Sequence, residues 1–90
     1  EVFQDVSLRI APVRREEAER MISEIRGNRI LDGARGEKPA DRAAAAEILT
    51  KVSQMAYALR DCVAELDINP LFVFEDGCGA QAGDALVVLK

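Results

Sequence analysis

The sequence predicts an α+β protein: a two-layer sandwich with helices on one face of a mainly antiparallel sheet, in the order β-α-(β)-α-β-β. Three observations carry the prediction. Hydrophobic periodicity switches repeatedly between the alternation of a strand and the roughly 3.6-residue repeat of a helix. Asp76-Gly77, set between two strand-like runs, is a two-residue hairpin signal. The strands do not alternate regularly with helices, as a parallel sheet of βαβ units would require.

The first element is "EVFQDVSLRIAPV", where Val2, Val6, Leu8 and Ile10 alternate with Asp5, Ser7 and Arg9. Residues 14 to 26 follow as an amphipathic helix. Ala18, Met21, Ile22 and Ile25 form its apolar stripe, Glu16 and Glu17 sit in its first turn, and Gly27 stops it. "APVRREEA" offers no side-chain cap, so one must come from elsewhere. The stretch "GNRILDGARGEKPA" is turn-rich, with room for a short extended piece at Ile30-Leu31. Asp41 then caps a second helix, running to about Arg60, whose wider apolar face holds Ala45, Ile48, Leu49, Val52, Ala56 and Leu59. Two strands, "VAELDINPLFVFE" and "GAQAGDALVVL", close the chain across "DGCG".

Composition narrows the function. With 16 acidic residues against 12 basic ones and a net charge of −4, the chain lacks the charge for a general nucleic-acid or anionic-membrane surface. No apolar run approaches the roughly 18 residues of a membrane span. The absence of histidine removes the commonest general base and metal ligand. Cys62 and Cys78 fit neither a CxxC pair nor a secreted disulfide framework, so both are expected free, in the cytoplasm. The abrupt start in strand-like alternation, without Met or leader, and Lys90 directly after "ALVVL" suggest that the 90 residues are one domain-sized fragment of a longer polypeptide.

The informative stretch is "ELDINPLFVF", residues 65 to 74. In one continuous strand Glu65, Asp67, Asn69, Leu71 and Val73 share a face, and Leu66, Ile68, Pro70, Phe72 and Phe74 share the other. The second face reads as core throughout. The first carries three oxygen-bearing side chains and then turns apolar, so its first half should meet solvent or a ligand and its second half another layer. A two-residue turn at Asp76-Gly77 sets Asn69 opposite Asp84, with Cβ atoms about 4.5–5.5 Å apart. An amide oxygen beside a carboxylate suits a hard cation such as Mg²⁺, which keeps waters and is commonly shared with phosphates. The pairing depends on register: a three-residue loop would place Asn69 opposite Ala85 and dissolve the pair. Asn-Pro is also a common turn or bulge, and Asp84 after Gly83 also fits a plain bend. Pro70 cannot donate to a ladder, so the strand must be bulged there or lie at an edge.

"AELDINPLFVFEDG" followed by "GDALVVL" resembles the carboxy-terminal end of the ATP-grasp region in NDP-forming acyl-CoA synthetases, the acetate–CoA ligase (ADP-forming) family, relatives of the succinyl-CoA synthetase β subunit. "EVFQDVSLRIAPV" is similar to that family's entry strand. "MISEIRGNRILDGARG" is similar to its helix and Arg-Gly loop, and "PADRAAAAEILTKVSQMA" to its next helix. The resemblance implies a ligase that interconverts carboxylic acid, CoA and ATP with acyl-CoA, ADP and phosphate, passing the phosphoryl group through a phosphohistidine to an acyl phosphate. It implies Mg²⁺ and ATP/ADP as cofactors, with Asn69 and Asp84 as the Mg²⁺ ligands. The chain departs from the family pattern in lacking a phosphohistidine domain, a CoA-binding domain and the nucleotide-clasping lysines of the ATP-grasp front half. The nucleotide and the CoA-dependent acid substrate would therefore be met together with those missing domains, and the fragment alone should be inactive.

Other residues carry less. Arg35 in "GARGEK" is a candidate phosphate or carboxylate contact, because Gly33 and Gly36 allow close backbone approach; loop-stabilising hydrogen bonds are the equal alternative. Glu65 and Asp67 read as solvated, Arg9 as solvated or ion-paired, and Met21, Met55 and Tyr57 as packing residues. Neither cysteine has a base nearby in sequence. Leu71 and Val73 form a face that missing parts of the chain would cover, which leaves self-association into an oligomer open. The competing class is a ferredoxin-like regulatory or protein-interaction module without catalysis. The Asn69–Asp84 pair discriminates against it, because such a module has no use for an amide opposite a carboxylate.

Overall fold

A computed structural model describes residues 5–33 and 36–90. Helices α1 (Arg15–Glu24), α2 (Asn28–Leu31) and α3 (Arg42–Ala58) precede strands β1 (Val63–Ile68), β2 (Leu71–Val73), β3 (Ala80–Ala82) and β4 (Ala85–Leu89). The class is the α+β one predicted, with antiparallel pairing throughout: β1 with β4 and β2 with β3. Together the four strands form one long hairpin, interrupted midway.

Helices α1 and α3 pack on each other through Val13, Ala18 and Ala46, with Met21, Ile22 and Leu49 against them. Ala18 and Ala46 are fully buried, which lets the helix backbones approach closely. Ser53 ties the pre-α1 segment to α3: Val13 N–H donates to Ser53 Oγ (3.0 Å) in a buried setting. Asp5 holds the other end of α1, its carboxylate accepting from Arg26 N–H and Gly27 N–H, each at 2.7 Å. Arg14 occupies the N-cap position of α1 without a side-chain cap bond, as the residue types there foretold.

Three expectations need correction. Residues 5–10 are not a strand, and Val6, Leu8 and Ile10 are 69%, 81% and 92% exposed. Alternation specifies a strand only where an edge and an apolar layer receive it, and among the described residues this segment has neither. Ile30-Leu31 is helical, within α2, because local i→i+3 bonding such as Ile30 N–H to Gly27 O (3.0 Å) satisfies backbone groups that have no neighbouring strand. The face running from Leu66 to Phe74 is not core throughout. Leu66 and Ile68 are half-buried, whereas Phe72 and Phe74 are exposed and Leu71 and Val73 take the half-buried positions.

That exchange of faces has a visible cause. A regular antiparallel ladder bonds every second residue pair. Here two successive pairs are bonded, Asn69 N–H to Asp84 O (3.1 Å) and Gly83 N–H to Pro70 O (2.8 Å), so the phase of the ladder advances by one residue. Side chains that follow the break project to the opposite side. Leu66, Ile68 and Leu71 consequently all line one apolar cleft of about 250 Å³ against Ile22, Ile48 and Val52. The Ala11-Pro12 and Asn69-Pro70 peptide bonds are cis.

Candidate functional site

The site is assembled at the break of the hairpin. Ile68 lies opposite Ala85 on one side of it and Leu71 opposite Ala82 on the other, one register carried across both sheets. Asn69 and Asp84 stand opposite each other between them, joined by their backbone hydrogen bond. The turn is the two-residue one predicted: Cys78 N–H donates to Glu75 O (2.8 Å), and Gly77 adopts φ +88°.

Both side chains are exposed. Ala85 N–H donates to Asp84 Oδ1 (2.8 Å), which orients the carboxylate; no other described group donates to it. Among the described residues Asn69 makes no side-chain hydrogen bond. Glu65 and Asp67 are exposed as well, so the acidic side of β1 faces away from the helices while Leu66 and Ile68 face them. Gly83 leaves room at the break: a Cβ there would lie 2.6 Å from Phe72 Cε2, the outer end of an exposed ring, and 3.0 Å from Pro70 Cγ, so a side chain here would have to displace the ring. In the sequence Gly83 reads as part of a bend, because the contact depends on where the Phe72 ring lies.

As donors for a cation, Asn69 and Asp84 supply an amide oxygen and a carboxylate, both hard ligands of the kind Mg²⁺ takes, and they leave most of an octahedral shell to water or phosphate oxygens. No group of three or more acidic, cysteine or histidine side chains is placed to hold a metal among the described residues, so a site here would be of this two-ligand, shared type. Arg35, the candidate anion contact, lies outside the described residues. Of its flanking glycines, Gly33 (φ +86°) uses the close approach within the loop itself, since a Cβ would fall 2.3 Å from Glu37 O. Cys62 and Cys78 are free and exposed.

Two further clusters were only partly foreseen. Arg9 pairs with both Glu17 and Glu24, and Arg20 pairs with Glu17. Hydrogen bonds from Arg9, then Arg20, hold the Glu17 carboxyl below its usual range, and bonds from Arg9, then Ser7, do so for Glu24. Asp41 caps α3 as predicted, Ala44 N–H donating to Oδ1 (3.0 Å), but Oδ2 also accepts from Gly79 N–H (2.8 Å). The Ala44 bond, followed by the Gly79 bond, holds this carboxyl below its ordinary value.

The fold and the broken hairpin define an α+β layer that presents an oxygen-donor pair from adjacent strands. The chain belongs to the ATP-grasp domain family, whose model matches residues 1–89. It is 46% identical over 90 residues to the β subunit of acetate–CoA ligase [ADP-forming] II from Pyrococcus furiosus, a match spanning 100% of this chain and 38% of that relative. A crystal structure of a Pyrococcus horikoshii protein superposes with a TM-score of 0.89 at 41% identity, over 96% of this chain and 36% of that one. Acetyl-coenzyme A synthetase 1 from Ca. Korarchaeum cryptofilum, solved with coenzyme A and Mg-AMPPCP, matches with a TM-score of 0.84 at 30% identity, over 91% of this chain and 37% of that one. Membership in this family does not favour the regulatory-module reading. No helix among the described residues is long and apolar enough to cross a membrane.

Proposed function

We propose that residues 1–90 form one unit of the ATP-grasp module of a longer, cytoplasmic ADP-forming acid–CoA ligase, and that Asn69 and Asp84 hold Mg²⁺ with ATP or ADP. The observation that carries the reading is the register that sets Asn69 opposite Asp84 at the hairpin break. The similarity to ADP-forming acetate–CoA ligase and to a synthetase solved with coenzyme A and Mg-AMPPCP supports the same chemistry. Nucleotide, CoA and the acid substrate would be handled jointly with parts of the protein beyond these residues.

Bound Mg²⁺ supplies charge neutralisation on phosphate oxygens, the main requirement of phosphoryl transfer. This chain's own contribution is positional. Asn69 offers an oxygen without a second charge, and Asp84 offers a carboxylate whose orientation is set by Ala85 N–H. Arg35 is proposed as a contact to nucleotide phosphate.

The test is ATP formation by the full-length protein from acyl-CoA, ADP, phosphate and Mg²⁺. Asp84→Asn and Asn69→Ala are each expected to lower turnover by at least roughly a hundredfold while the fold persists. Unchanged turnover in both variants would make the hairpin break purely structural.

A further inference from the structure

Beyond the break the tip of the hairpin contributes little to its own register, which the β1–β4 ladder carries only as far as Ile68 and Ala85. Strands β2 and β3 have three residues each, and β3 contributes only Ala80, Gln81 and Ala82, which offer little cross-strand packing. The tip "DGCG" holds two glycines at positive φ, Gly77 and Gly79, so more than one turn position is open to it. A slip of one residue would place Asn69 opposite Ala85.

The backbone around Asp41 supplies what the hairpin lacks. Segment 39–41 lies along the hairpin tip: Asp76 N–H donates to Pro39 O (2.9 Å), Ala40 bridges Glu75 in antiparallel fashion, and Asp41 N–H donates to Phe74 O (2.8 Å). The Asp41 carboxylate then crosses to the opposite strand and accepts from Gly79 N–H, while Phe74 N–H donates to Gly79 O (3.0 Å). Asp41, Phe74 and Gly79 thus form a closed ring of three hydrogen bonds that only the native pairing of Phe74 with Gly79 satisfies. Asp41 is 7% exposed, so breaking the ring would leave buried polar groups without partners.

We propose that Asp41 is a positioning residue for the Asn69–Asp84 pair: by joining residue 74 to residue 79 from the N-terminus of α3, it holds the hairpin in the one register that opposes the two donors. The metal half of this inference rests on the reading given under Proposed function; the register half does not.

The two halves are separable by experiment. In the full-length protein with Cys62→Ser and Cys78→Ser, the cysteine pair Val73→Cys with Ala80→Cys reports the native register through disulfide formation, next to the bonded Phe74–Gly79 pair. The pair Val73→Cys with Gln81→Cys reports the slipped one. Asp41→Ser keeps a helix cap and loses the reach to Gly79; Asp41→Asn, which keeps Oδ1 for Ala44 N–H, is the second variant in case the first does not fold. The native pair should form its disulfide at least about tenfold faster than the slipped pair, and either Asp41 variant should erase most of that preference, as expected for loss of a buried charge-assisted bond. Mn²⁺ affinity, read by electron paramagnetic resonance as a stand-in for Mg²⁺, should weaken by about tenfold in the same variants, with the helical circular dichroism retained. An unchanged disulfide preference in both variants overturns the inference, as does a lost preference with Mn²⁺ affinity intact. If Asp84→Ala leaves Mn²⁺ affinity unchanged, the metal reading and the positioning role built on it both fall, whatever the disulfides show.

Discussion

Ser53 and Gly83 show how single residues act here through groups far from them in the chain. Ser53 lies on the apolar side of α3, and its hydroxyl accepts from the N–H of Val13, forty residues earlier. Ser53→Ala removes that acceptor and leaves a buried N–H unpaired, so stability should fall by about 1–3 kcal/mol in denaturant titration. A smaller change would mean that water replaces the hydroxyl. Gly83 acts by absence: any Cβ there meets Phe72 and Pro70. Gly83→Ala should cost up to about 1 kcal/mol as the exposed Phe72 ring is displaced, and Gly83→Ala with Phe72→Leu should recover part of it. Serine on an apolar helix face and glycine before an aspartate are both visible in the sequence, but their partners are not.

The elements divide into those that local chemistry specifies and those that need a neighbour. Helix α3 has its apolar stripe and Asp41 cap within a few residues and formed where the periodicity placed it, whereas α1, without a side-chain cap, ends at Glu24 with Ile25 extended, short of the expected stop at Gly27. Residues 5–10 have the right pattern and no partner strand among the described residues, so they form no strand. In the hairpin the Asp76-Gly77 turn fits the register that the β1–β4 ladder and the Asp41 bonds at the tip hold, and the exchange of faces follows from two consecutive bonded pairs at Asn69-Pro70. The element-scale consequence is that Leu71, and not Phe72, supports the helix layer. Leu71→Ala should therefore destabilise the protein by more than Phe72→Leu, with about 2–3 kcal/mol expected for a half-buried leucine against under about 1.5 for a largely volume-conserving change at an exposed ring. Equal losses in thermal or denaturant unfolding would mean that the faces do not switch.

Across the whole molecule, acid sensitivity should be set by a few carboxylates. Hydrogen bonds hold Asp41, Glu17 and Glu24 below their ordinary values of 3.8, 4.5 and 4.5. The unfolded chain therefore takes up protons first as pH falls. The stability these groups contribute is fully present above the ordinary values and is lost as pH drops through the lower folded ones. The contribution from Glu17 and Glu24 is screened by solvent and salt, since their Arg9 network is at the surface, whereas that from Asp41 rests on backbone donors in a buried position. Asp41→Asn should flatten the acid limb of a melting-temperature profile more than Glu17→Gln does, and added salt should narrow the difference between wild type and Glu17→Gln while leaving the Asp41 effect. A larger Glu17 effect at high salt would contradict this order.

What the sequence by itself determined is the α+β class, the two main helices and the hairpin turn, because each depends on residue types and spacings within a short span: helical stripes, an aspartate cap and an Asp-Gly turn; counting back from that turn made Asn69 opposite Asp84 the expected register, which the long-range bonds of Asp41 then hold. Only the tertiary structure decided the ladder's change of phase, the loss of the expected first strand, the helical turn at Ile30-Leu31, and the second role of Asp41. Each of these turns on where a hydrogen-bonding group finds its partner, and those partners, such as Gly79 for Asp41 and Val13 for Ser53, lie far away in the chain and are brought into reach only when the helices pack beside the hairpin.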